Sequence, residues 1–101
     1  ITPQKRQDGQ SAKILLMSPP HLGDNLVDIP SGEEMGFERG ISYSKRLAPI
    51  YEDWAKFHNI EFLDAAKYAN PSEIDACHLT RESHRKLGKM VAKKCKEILE
   101  I

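Results

Sequence analysis

Lys13-Ile14-Leu15-Leu16-Met17-Ser18 runs directly into Pro19-Pro20, and this octet decides the fold class. Such a short unbroken apolar run lacks the alternation of a half-exposed strand and the length of a helix. It predicts a strand buried on both faces, as in a parallel sheet. Further on, Leu47, Ile50, Tyr51, Trp54 and His58 recur at helical spacing while Lys45, Glu52, Asp53 and Lys56 fall elsewhere on the wheel, so an amphipathic helix follows. Pro49 leaves two starts open: near Ala48, or earlier with a bend. The helix is expected to end near Asn59, and Ile60-Glu61-Phe62-Leu63-Asp64 then reads as a second short strand. A strand, a helix long enough to cross over and another strand imply parallel pairing.

Outward from this unit, residues 1–12 are polar and aperiodic and read as a flexible lead-in to one domain over 13–101. His21 to Gly40 carries Gly23, Pro30, Gly32, Gly36 and Gly40 and is expected to be a long loop leaving the carboxyl end of the first strand. Open α/β sheets bind ligands on that side, which makes His21 a candidate. Ala65 to Ala76, with Asn70-Pro71, forms a further loop. Thr80 can cap a closing helix whose Leu87, Met90, Val91, Cys95, Ile98 and Leu99 make one apolar stripe and whose lysines form a solvated face. Trp54 and Phe57 are assigned to the core. Two strands and two helices cannot cover both faces and edges of a doubly wound sheet. The sheet is therefore expected to be completed by another segment of the same protein or by a copy of the chain. Ile1 points the same way, since initiator methionine is removed before small residues, and this N-terminus reads as a cut within a longer polypeptide.

Composition narrows the function classes. The 101 residues are 40% hydrophobic and 30% charged, the balance of one soluble globular domain, and fifteen basic residues offset fifteen acidic ones. With zero net charge, nucleic acid and anionic membrane surfaces are disfavoured partners. The longest apolar run is far shorter than the roughly 20 residues of a membrane span, and no signal-peptide pattern opens the chain. Two cysteines, Cys77 and Cys95, are too few for a disulfide scaffold, so a reducing, cytoplasmic setting is expected.

Asp75 and His78 are the candidate catalytic pair. A carboxylate three residues before an imidazole can reach back through a turn to Nδ1–H, fixing the tautomer and leaving Nε2 free as a general base. The plainer alternative is a turn that caps the last helix. Cys77 is poorly placed for proton transfer to its neighbour, because adjacent side chains on extended backbone point apart. His21, His78, His84 and the cysteines lack any metal-ligand spacing, so no metal or organic cofactor is expected.

The block from Asp75-Ala76-Cys77-His78-Leu79-Thr80 through His84 to Leu87-Gly88 closely resembles the last block of the GDSL or SGNH hydrolases, where Asp-x-x-His-Leu-Thr opens the closing helix. Ile14 to Pro20, Leu47 to Tyr51 and Phe62-Leu63-Asp64 are similar, in order, to that family's penultimate strand, following helix and last strand. The resemblance spans roughly residues 13 to 99. It implies the C-terminal portion of a flavodoxin-like, three-layer α/β fold and a carboxylic-ester hydrolase with a Ser-His-Asp triad acting on a small ester substrate. His78 would be its base and Asp75 its orienting acid. The nucleophilic serine and the oxyanion-hole residues would lie upstream of the first strand, in the N-terminal half of the protein. Gly23-Asp24-Asn25-Leu26 imitates Gly-Asp-Ser-Leu, but it follows the wrong strand and an amide is no hydroxyl nucleophile. Ser18, Ser42, Ser44, Ser72 and Ser83 lack a nucleophile elbow and read as turn or cap residues. The competing reading is a non-catalytic binding or oligomerisation module that keeps the fold without its nucleophile.

Overall fold

A computed structural model describes residues 12–101, so the lead-in expected at 1–12 lies almost wholly outside the described residues. Strand β1 (Leu15–Ser18) pairs in parallel with β2 (Glu61–Asp64), Leu15 lying opposite Glu61 and Ser18 opposite Asp64. Helix α1 (Phe37–Phe57) connects them, and helix α2 (Arg81–Leu99) closes the chain. Short 3-10 helices at Asp24–Asp28, Pro30–Met35 and Ala65–Lys67 fill the connections. The strand, helix, strand order and its parallel pairing are those expected, with β1 two residues shorter at its start.

Successive strand residues face opposite sides of a sheet. Leu16 lines a groove with Ile50, Tyr51 and Trp54 of α1, whereas Leu15 lines one with Cys95, Ile98 and Leu99 of α2. The two helices thus cover opposite faces. Lys94 of α2 also reaches Glu61 across the second face at 3.4 Å. Thr80 caps α2 as expected, its hydroxyl accepting a hydrogen bond from the Ser83 N–H at 3.0 Å.

The segment His21 to Gly40 departs from a plain loop. Two 3-10 helices occupy most of it, and α1 starts at Phe37, eleven residues before Ala48, the later of the two starts. Pro49 is accommodated on the exposed side of α1, where water can serve the carbonyl that its missing N–H leaves free. Gly36 takes φ +80 at the helix entry. Gly40 sits in the first turns of α1, where a Cβ would run into the Met35 carbonyl oxygen. Gly36 permits the left-handed entry and Gly40 the close backbone approach, roles within ordered structure that composition cannot separate from loop formation. At the other end, Asn59 turns the chain with φ +55, and Ile60 N–H bonds back to Ala55 O at 3.0 Å, setting the entry to β2.

Burial corrects two expectations. Strand β1 is not buried on both faces: Leu15 and Leu16 are half-buried and Met17 is 42% exposed. Trp54 and Phe57 are not core residues either, being 40% and 85% exposed. Trp54 instead stacks on His58, ring centroids 3.9 Å apart. The sheet has two strands, and β1 pairs with β2 alone among the described residues. The buried apolar set is Leu26, Leu63 and the alanines Ala55, Ala65, Ala69 and Ala76, so large side chains contribute little of it. No helix among the described residues is long and apolar enough to cross a membrane.

Candidate active site

The Asp75–His78 pair lies in the connection between β2 and α2, where the chain closes a tight loop. Pro71 and Leu79 form an isolated antiparallel bridge at its neck. Ser72 N–H donates to His78 O at 2.6 Å, Ala76 N–H to Ser72 O at 2.8 Å and Ile74 N–H to Ser72 Oγ at 3.1 Å. Ser72 therefore serves as a turn residue, in keeping with its chemistry. Inside this loop Ala76 adopts φ +56 and is fully buried. That left-handed step folds the next two amides back onto the Asp75 side chain.

Asp75 is held at three points. Its Oδ1 accepts from Cys77 N–H at 3.0 Å and His78 N–H at 2.9 Å, and its Oδ2 accepts from His78 Nδ1 at 2.5 Å. The bond from His78 is the main reason its carboxyl is lowered from 3.8 to about 2, with the two backbone bonds adding to the effect. An ionised carboxylate only accepts, so the proton of the shared bond sits on Nδ1 and Nε2 is the free nitrogen. The His78 ring is 85% exposed while Asp75 is less so, which leaves Nε2 open to an incoming group. A single local turn thus produces a carboxylate-oriented imidazole with an accessible basic nitrogen.

The other candidates are placed apart from this chemistry. Ser18 is fully buried at the end of β1 and donates to Asp64 Oδ1 at 3.1 Å, tying the two strand ends. Ser44 accepts from Leu22 N–H and Ser83 from Asn70 N–H, each at 3.0 Å, as anchors for loop backbone. His21 is half-buried at the start of the loop that leaves β1, and His84 is exposed on α2. Cys77 and Cys95 are free thiols. No group of three potential metal ligands occurs among the described residues.

Sequence reasoning missed the neighbour of this loop. Gly23 N–H donates to Ala76 O and Asn25 Nδ2 to Glu73 O, both at 2.8 Å, so the Gly23 to Leu26 turn abuts the Asp75 loop. These contacts join residues about fifty positions apart, and no local pattern marks them.

No protein-family model and no curated protein matches the chain, but solved structures do. A carbohydrate acetylesterase family member from Sinorhizobium meliloti matches with a TM-score of 0.78 at 29% identity, over 98% of this chain and 44% of that one. A carbohydrate acetylesterase from the same organism matches at 0.73 and 30%, over 87% and 40%. The native aryl esterase of M. smegmatis matches at 0.74 and 28%, over 88% and 40%. The chain spans about two fifths of the length of these structures. It is similar to the C-terminal part of an SGNH/GDSL-type hydrolase, as the Asp75 to Gly88 block led us to expect.

Proposed function

We propose that this chain is the C-terminal portion of a serine-type carboxylic-ester hydrolase with a flavodoxin-like, three-layer fold, and that it supplies the general base and its orienting acid. The observation that carries the reading is the bond between His78 Nδ1 and Asp75 Oδ2, made in a loop beside a parallel sheet whose solved likenesses are esterases. The nucleophilic serine belongs to the N-terminal half of the protein. Its Oγ attacks the ester carbonyl carbon while its proton passes to His78 Nε2. The carbonyl oxygen becomes an oxyanion, which collapses to expel the alcohol, and the alcohol leaves with the proton from Nε2. Water, deprotonated by the same nitrogen, then attacks the acyl-serine; the Oγ–acyl bond breaks, the acid is released, and the serine Oγ takes the proton back from Nε2. Asp75 remains ionised throughout and stabilises the imidazolium. Small aryl or acetyl esters are the substrate class, and the cycle needs no cofactor.

The same N-terminal half completes the sheet. The edge of β1 that is unpaired among the described residues, half-exposed Leu16 and the exposed row Ile50, Trp54 and Phe57 on α1 form one border that support from a further layer would bury. Self-association of the chain is the alternative cover.

The test compares p-nitrophenyl acetate hydrolysis by the full-length protein, its His78→Ala variant and residues 1–101 alone. His78→Ala is expected to lose on the order of a thousandfold in turnover with an unchanged melting curve. The isolated chain is expected to be inert. Near-normal turnover of folded His78→Ala refutes the assignment, and esterase turnover by the isolated chain refutes the split of the triad. A full-length protein without esterase activity would favour the binding or oligomerisation module.

A further inference from the structure

The loop that carries Asp75 and His78 owes its shape to bonds within itself, but its position to something else. Its neck is fixed to the start of α2 by the bond from Asn70 N–H to Ser83 Oγ. Its far side is bonded to the rest of the protein through the turn Gly23 to Leu26, by Gly23 N–H to Ala76 O and Asn25 Nδ2 to Glu73 O. That turn is itself anchored from behind. Leu22 N–H bonds Ser44 Oγ of α1 and Leu26 is fully buried, whereas the pair of Asp24 with Lys45 of α1 at 3.1 Å is solvent-exposed and adds little to the anchoring.

We infer that Asn25 is a positioning residue for His78, holding the Asp75 loop against the turn after β1 so that Nε2 stays aimed at the reacting centre. The inference rests on the reading of His78 as the base. Glu73 and Ala76 flank Asp75, so the two bonds bracket the carboxylate that orients the imidazole. Ala76 also needs support, because its left-handed conformation is disfavoured for a residue with a Cβ and persists only where surrounding contacts hold it. Gly23 makes the contact possible: a Cβ there would lie 3.1 Å from Ala76 Cβ and 2.6 Å from Asn25 Oδ1. The amide is the right chemistry for the other bond, since it alone at this length offers an N–H to a backbone carbonyl. The substitution Asn25→Asp would turn an acceptor onto an acceptor.

The experiment uses the full-length protein with Asn25→Asp and Asn25→Ala, and with Asp24→Asn as the control from the same turn. Losing one neutral hydrogen bond shifts an equilibrium by about a factor of ten at most. Both Asn25 variants are therefore expected to lose up to about tenfold in kcat with KM within about twofold, and to broaden or shift the His78 Nδ1 proton resonance. Asp24→Asn is expected to keep the parent kcat. Asn25→Ala truncates a half-buried surface side chain, so it provides the reading should Asn25→Asp fail to fold. Folded Asn25→Ala with parent kcat and an unmoved Nδ1 resonance overturns the inference, as does an equal loss from Asp24→Asn. If His78→Ala abolishes turnover in those same cases, the inference fails alone; if His78→Ala is active, the base assignment fails with it.

Discussion

Replacing Asp75 by asparagine tests the tautomer argument at one atom. The amide has two ways to sit. With its oxygen toward Cys77 and His78 N–H it keeps the bonds at 3.0 and 2.9 Å, and its NH2 then faces His78 Nδ1. With the amide turned over, an NH2 meets two backbone N–H groups at those distances, and two bonds are lost to recover one. The first arrangement wins by that count. It forces Nδ1 to accept, moves the proton to Nε2 and removes the base while leaving the loop intact. A triad with its imidazole held in the wrong tautomer loses on the order of ten-thousandfold in kcat at neutral pH, equivalent to about 5.5 kcal/mol of barrier. The assay is p-nitrophenyl acetate turnover by full-length Asp75→Asn protein, with nitrogen chemical shifts of His78 reporting which ring atom carries the proton. A kcat within about tenfold of the parent, or an unchanged Nδ1–H tautomer, refutes the reasoning.

Two further outcomes follow from the same structure. The Asp75 carboxyl is lowered from 3.8 to about 2 by His78 and two backbone bonds, so ionised Asp75 favours the folded state. Its contribution is complete above about pH 4 and is lost as pH falls through 2; a carboxyl-carbon titration should find the low midpoint, and a midpoint near 3.8 would refute the bonding described. Gly40→Ala and Gly88→Ala should move the melting temperature in opposite directions. A Cβ at Gly40 would collide with Met35 O and cost about 1–3 kcal/mol in strain, whereas Gly88 has open space within α2 and gains up to about 1 kcal/mol of helix propensity. Thermal unfolding of the two variants checks this, and stabilisation by Gly40→Ala would contradict the close approach.

The local features of this protein are written in its sequence. An apolar stripe from Leu87 to Leu99 behind a Thr80 cap needs only helical periodicity to be read, and the β1, α1, β2 order needs only the switch between periods. The contact between Asp75 and His78 is local as well, because three residues of turn suffice to bring them together. Tertiary structure decided the rest. Whether Gly36 and Gly40 end a loop or open a helix depends on the left-handed turn that Gly36 makes and on the Met35 carbonyl packed against Gly40. Whether Trp54 and Phe57 are core depends on what lies beyond α1, which their spacing along the helix cannot report. The turn at Gly23 to Leu26 reaches the Asp75 loop only when the chain closes over some fifty residues. Periodicity records how a segment meets its own neighbours, and such long-range meetings leave no trace in it.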